Sequence, residues 1–366
     1  MVDYLKKNYP SKKIFLLADQ RDLAEYTFEK KYNFTAYNWT LYDKISIIRS
    51  KDSLVTNIIK ESSCFFDISG YAFSSSILNK FKFKNFEHSL SYLMSIVVAK
   101  NFSIPYFILP QSIGPFDYPL FYRKILKFLS FYILKYPRKI FVREKKYLDD
   151  LEKISGRDIV NFKDIVLVGE AYDLKNIYKE RPVISEKNIL NDSVGVILNR
   201  KIFDRIGADE FFDVYDLVIK KLLSKNKNVY IFRHSYEDLD LCISLKSKFG
   251  HNENVIFFND DFNCFELEKI ISKLDFVIAS RYHSVIHAYK NKVPALCISW
   301  ANKYYELLDY FSQLKYLFDC RQKINKEELS KSLDSLLSNY LLEKGLIGEK
   351  MEEVRKEYSI SSLFKF

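Results

Sequence analysis

The stretch DFVIASRYHSVIHAYKNKVPALCISW, residues 275–300, decides how this chain folds. Two short apolar runs, DFVIAS (275–280) and PALCIS (294–299), flank a segment with helical spacing. Strand, helix and strand in that order make a parallel unit, because parallel strands need a crossover of this kind. Arg281 and His283 follow the first run at once, where the helix begins, and Ser280 is placed to cap it. A helix N-terminus offers free N–H groups and a partial positive charge, so an Arg fork and an imidazole there suit a phosphate or a carboxylate. His283 and His287 also sit four apart, as zinc ligands do, but no Glu adjoins His283 and no third ligand stands nearby.

The same alternation runs outward in both directions. KIFLLA (13–18), CFFDIS (64–69), PYFILP (105–110), KIFVR (139–143) and IVLVG (165–169) read as strands. After the polar stretch KERPVISEKNILNDS (179–193) come SVGVILN (193–199), NVYIFR (228–233) and NVIFF (254–258). Unbroken apolar strands alternating with helices predict an α/β protein with parallel sheets covered on both faces. The expected architecture is two Rossmann-like domains facing a cleft, GT-B-like, over residues 1–182 and 190–340. Helical patterns at 326–340 and 345–357 close the chain, the second in a helical tail over 341–366.

In such a fold, ligands meet the loops at the carboxyl ends of the strands. Arg200 ends SVGVILN, Arg233 and His234 end NVYIFR, and Lys303 follows PALCISW, so several strand ends of the second half offer cations. In the first half, Asp67 ends an otherwise apolar strand and is followed by Ser69 and Gly70; it suits a general base toward a hydroxyl, or a turn cap. The loop PQSIGPF (110–116) brings Gln111 and Ser112, which can hydrogen-bond a sugar hydroxyl or a phosphate.

Composition narrows the classes. The nine Gly are isolated, with no G-x-G-x-x-G and no G-x-x-x-x-G-K, which disfavours dinucleotide and P-loop binding. Five scattered Cys without a C-x-x-C pair exclude a disulfide framework and argue against structural zinc. No apolar run is long enough to span a bilayer and no secretory leader is evident, so a cytoplasmic protein is expected. The net charge of +10 is lopsided: residues 1–150 hold 24 Lys+Arg against 14 Asp+Glu, and the remainder holds 33 of each. An anionic partner of the first half fits this, whether nucleic acid, membrane surface or phosphorylated substrate. The segment 118–139 interleaves basic and aromatic residues; Arg123, Lys124 and Lys127 share a helix face opposite Ile125, Leu129 and Ile133. That suits either a peripheral membrane contact or a core helix with a solvated basic face.

LPQSIGPF (109–116), VREKKYLDDL (142–151) and DFVIASRYHSVIHAYKNKVPALCISWANKY (275–304) resemble the polysaccharide pyruvyl transferases, in the family's own order along the chain. The R-x-H helix, followed by N-x-P and a downstream Lys, is the most specific part. The resemblance implies transfer of the pyruvyl group of phosphoenolpyruvate, as co-substrate, to two hydroxyls of a bacterial exopolysaccharide or capsule sugar or its lipid-diphosphate-linked precursor. It implies a cyclic ketal product, no nucleic acid, no further cofactor and no metal. By resemblance Arg281 and Arg200 clamp the phosphoenolpyruvate, with Lys303 and Ser280 alongside; His283 is the general acid, and Asp67 the base on the acceptor side with Gly70, Gln111 and Ser112. Two departures stand out. The family usually begins with a strand and an N-x-G-D-type loop before its first helix, and here the first strand and that loop are expected to be missing; GEAYDL (169–174) replaces a D-P-A-type segment, leaving Glu170 without a role. The alternatives are a GT-B nucleotide-sugar glycosyltransferase and an inactive partner in polysaccharide assembly.

Overall fold

The computed structural model of the chain describes residues 1–18, 31–49, 53–71, 73–75, 82–169 and 172–364; Glu170 lies outside them. The chain forms two compact units, Met1–Pro182 with Tyr358–Phe366, and Val183–Glu357. The expected boundary at 340/341 does not fall at the edge of either unit. It cuts a single helix, Lys326–Glu357, that runs through both helical patterns. Leu329, Leu333, Leu336, Ile347, Met351 and Val354 give that helix one buried stripe, which keeps it continuous.

In the first unit, β1 (Phe15–Ala18) pairs in parallel with β2 (Thr35–Asn38). A second parallel sheet has the order β3 (Phe65–Asp67), β4 (Tyr106–Gln111), β5 (Lys139–Val142), β6 (Val160–Asn161). Every residue of β4 is buried, as a strand covered on both faces requires. IVLVG is not a strand. Ile165–Val168 is one helical turn, because Asp164 caps it by accepting from the Val166 N–H at 2.9 Å. A short apolar run cannot be told from a buried helical turn by its spacing. From Tyr358 onward the chain packs in this unit, with Tyr358 edge-on to Phe162 at 5.0 Å and Phe364 against Phe66 at 5.1 Å.

The second unit holds a six-stranded parallel sheet. Its strands are β7 (Ser193–Ile197), β8 (Asn228–Phe232), β9 (Val255–Phe258), β10 (Phe276–Ala279), β11 (Ala295–Ser299) and β12 (Leu317–Asp319). Their order across the sheet is β12-β11-β10-β7-β8-β9, the doubly wound Rossmann arrangement. β7 runs beside β10 with Ile197 opposite Ala279, so the chain winds away from the middle of the sheet in both directions. Gly195 permits this close packing: a Cβ there would stand 2.7 Å from Leu274 Cδ1. Helix starts are cut sharply, as at Asn263, which forms a reciprocal capping box with Glu266.

Candidate functional site

The reversal of strand order between β7 and β10 leaves a crevice beyond their carboxyl ends, the usual ligand position in an open α/β sheet. Asn199 ties the two ends together. Its Nδ2 donates to the Ser280 carbonyl at 2.6 Å, and its Oδ1 accepts from the Lys201 N–H at 2.9 Å, capping the helix Arg200–Ile206. Arg281, rather than Ser280, occupies the cap position of the helix Tyr282–Lys290. Ser280 is fully buried, its hydroxyl 2.6 Å from Tyr215 Oη and its carbonyl also taken by Tyr304 at 2.9 Å. The expectation that Ser280 caps the helix and reaches a ligand is therefore corrected: it braces the strand end from within.

Asp238, which the sequence reading passed over, is the hub of the crevice. It is buried and accepts from the Arg200 backbone N–H at 2.9 Å and from Arg281 Nε at 2.8 Å; Arg281 Nη2 also meets its second oxygen. Burial raises its carboxyl above the ordinary value, with Arg281 pulling the other way. Arg281 is further held by Glu237 at 2.6 Å. Burial works to lower its pKa, but these two carboxylates outweigh that and raise it. Its Nη1 has no hydrogen-bond partner among the described residues and is the guanidinium nitrogen left for a ligand. The signal that could have led to Asp238 is the acidic cluster YEDLD (236–240), a few residues after β8.

Arg200 pairs with Asp204 at 3.0 Å and Asp240 at 3.5 Å, both exposed partners, and such pairs are weak enough for an incoming anion to displace. Lys201 was also missed. It is half-buried, burial lowers its pKa, and its ammonium lies 5.5 Å from the Trp300 ring with no ion pair among the described residues. His283 is exposed on the first turn of its helix, its ring 5.7 Å from Tyr282. Lys303 lies 4.8 Å from the Tyr282 ring. Arg233 turns aside to Asp261 at 3.0 Å.

Behind them stands a histidine pair. His234 and His287 have ring centroids 5.8 Å apart, and His234 Nε2 is buried without a hydrogen-bond partner among the described residues. Burial first, then the neighbouring His287, His283 and Arg281, pushes His234 down to about 3. His287 is buried 3.6 Å from Glu268, which is also held by Lys290 at 3.0 Å. Burial alone would raise Glu268; His287 and Lys290 overcome it and bring it to about 2. No group of three or more His, Cys, Asp or Glu placed to hold a metal occurs among the described residues.

In the first unit, Asp67 lies on the wall of a cavity of about 1840 Å³, shared with Trp39, Tyr71, Tyr92, Lys84 and His88. Its carboxylate is fixed by the Ser69 N–H at 2.9 Å, Ser69 Oγ at 2.6 Å and Tyr106 Oη at 2.7 Å. Gln111 and Ser112 do not present themselves to a ligand, contrary to expectation. Gln111 is fully buried, donating to Tyr92 Oη at 3.0 Å; Ser112 is buried, donating to Glu144 at 2.6 Å. Arg143 draws this loop inward by pairing with Asp164 and donating to Ser112 Oγ at 2.8 Å and to the Gly70 carbonyl at 2.6 Å. Gly70 sits at φ +72, which its lack of a side chain allows, and serves that network through its carbonyl. Lys84 and His88, one turn apart on the helix Lys82–Asn101, are cavity residues the sequence reading did not single out.

Two α/β units with parallel sheets place the chain in the GT-B-like class, and solved structures agree over nearly its whole length. It resembles a glycotransferase of kitacinnamycin (TM-score 0.58, 10% identity, 99% of this chain and 93% of that one). It also resembles the Listeria monocytogenes putative UDP-N-acetylglucosamine 2-epimerase (TM-score 0.55, 13% identity, 96% and 85%). A third is Anabaena HepE in complex with UDP (TM-score 0.55, 11% identity, 99% and 92%). The sequence profile described as Polysaccharide pyruvyl transferase matches residues 1–302, and the chain belongs to that family. No curated protein matches it significantly. No helix among the described residues is long and apolar enough to cross a membrane.

Proposed function

We propose that this protein transfers the pyruvyl group of phosphoenolpyruvate to two hydroxyls of a saccharide, closing a cyclic ketal. The observation that carries the reading is the crevice at the β7–β10 switch point, where the buried Asp238 holds the Arg281 guanidinium and the Arg200 backbone N–H, with Lys201 nearby and His283 exposed on the first turn of the following helix. Phosphoenolpyruvate carries up to three negative charges, and a helix N-terminus lined with cations suits its phosphate and carboxylate. Arg281 Nη1 and the Lys201 ammonium are the groups with least to give up. His283, at the crevice mouth, protonates the methylene carbon and leaves an oxocarbenium-like centre at C2. A sugar hydroxyl adds there and loses its proton. The C2–O bond to phosphate breaks with its electron pair, and the second hydroxyl closes the ring, its proton leaving with phosphate or solvent. One methyl, two C–O bonds and one inorganic phosphate result, with no change of oxidation level that would call for a redox cofactor.

The cavity of the first unit supports the acceptor half of the reading. Trp39 and Tyr71 line it with Asp67, and that carboxylate is our candidate for the base on an acceptor hydroxyl. A bacterial surface glycan, or its lipid-linked precursor, fits the family. The test is incubation with phosphoenolpyruvate and glycan acceptors from the source organism, following phosphate release and the mass gain of a pyruvyl ketal. Turnover with a UDP-sugar in place of phosphoenolpyruvate would overturn the reading.

A further inference from the structure

The helix Leu120–Ile133 is built in two halves. Leu126 and Ser130 are buried, and Tyr122, Leu129 and Ile133 pack against the core of the first unit. The outward half is not the solvated basic face its sequence suggests. Phe121 is 70% exposed, Phe128 64% and Tyr132 56%, and their spacing of seven and four residues places them in one column. Phe128 and Tyr132 have ring centroids 5.0 Å apart, so the column is continuous there. Lys124, Phe131 and Lys135 repeat that spacing alongside, with the Lys135 ammonium 3.8 Å over the Phe131 ring. Lys127 is exposed next to this second column, and neither it nor Lys124 makes an ion pair among the described residues. Exposed Phe83 adds to the patch through Tyr122, 6.2 Å away.

Charge decides what covers this face. Residues 118–143 contain seven Lys and Arg and no Asp or Glu. A second copy of the chain meeting this surface about a two-fold axis would set these cations against themselves. An anionic lipid surface answers both features at once, since aromatic rings settle at headgroup depth while lysine stems lie along apolar surface with their ammonium groups among phosphates. We propose that this face docks the protein on an anionic phospholipid bilayer, with Phe121, Phe128 and Tyr132 inserted at the headgroup level and Lys124, Lys127 and Lys135 on the lipid phosphates. The docking does not depend on the pyruvyl-transfer reading.

The test is flotation of the full chain with vesicles of phosphatidylcholine alone or with about one-third phosphatidylglycerol. Binding is expected on the anionic vesicles only, weakening as salt is raised. The double variant Lys124→Glu, Lys127→Glu should lower partitioning at least about twentyfold, since each basic residue near such a surface is worth roughly a factor of five. The triple variant Phe121→Ser, Phe128→Ser, Tyr132→Ser should lower it at least about tenfold with circular dichroism unchanged. As a reporter that does not weaken the surface, Phe128→Trp should show a blue-shifted emission with anionic vesicles. Failure of the unaltered protein to float with anionic vesicles, equal binding to neutral ones, or a solution dimer that the serine variant dissociates would each overturn the proposal.

Discussion

Arg281 and Asp238 hold one another across the crevice of the second unit, with Nε 2.8 Å from Oδ2 and Asp238 wholly buried beneath the guanidinium. The same carboxylate takes the Arg200 backbone N–H at 2.9 Å, so one buried charge fixes the Arg281 guanidinium and the start of the helix that carries Arg200. Asp238→Asn keeps the size and removes the charge, a loss of about 1.5–3 kcal/mol for charge-assisted hydrogen bonds. The variant should raise KM for phosphoenolpyruvate about tenfold or more, with a smaller effect on kcat. A merely structural Asp238 would show instead as a lowered Tm with an unchanged KM.

His283→Ala should lower kcat at least about a hundredfold, the usual share of a general acid. Tm should stay where it was, because the side chain is exposed. Lys201→Met should leave kcat within a few-fold and raise KM for phosphoenolpyruvate about tenfold, while KM for the acceptor stays the same. Steady-state kinetics against each substrate separately distinguishes the two roles, and an active His283→Ala enzyme would remove that residue from the chemistry.

Legibility in the sequence followed burial. SVGVILN, NVYIFR and DFVIAS were readable as strands because parallel strands covered on both faces are apolar throughout, and β7, β8 and β10 are buried along almost their whole length. Arg281 and His283 were readable as site residues because they follow such a strand directly. Asp238 was not, since nothing in YEDLD marks which carboxylate turns inward; its burial depends on Arg281, some forty residues on. Gln111 and Ser112 looked like ligand contacts because Gly and Pro surround them, yet Arg143 pulls their loop into the interior. Thr35–Asn38 and Leu317–Asp319 are strands without an apolar run of their own length, and pairing with a neighbour is what makes them strands.

The pair Arg143–Asp164 gives a stability prediction for the first unit. The side chains are 6% and 2% exposed, so removing the cation strands a buried carboxylate. Arg143→Leu should cost about 3–5 kcal/mol, and lower Tm by roughly 10 °C for a domain of this size. It also removes the bridge by which Arg143 joins the Gly70 carbonyl to Ser112 Oγ. A thermal melt with less than a few degrees of change would show that the pair is replaceable.

Acid should loosen the second unit, and His234 is the main cause. Its pKa falls from 6.5 to about 3 on folding, chiefly through burial, so below the higher value the unfolded chain gains a proton that the folded one refuses. The stability this represents is complete above that upper value and drains away as pH falls toward the lower one. Glu268, lowered from 4.5 to about 2 against its burial by His287 and Lys290, adds the same trend further down. Between neutrality and pH about 5 the His234 contribution is at most about 2 kcal/mol, on the linkage of about 1.4 kcal/mol per unit. His234→Gln cannot take up a proton in either state, so its Tm should fall distinctly less over that interval than that of the unaltered protein. Parallel Tm curves for the two proteins from pH about 7 to about 5 would assign the acid sensitivity to other groups.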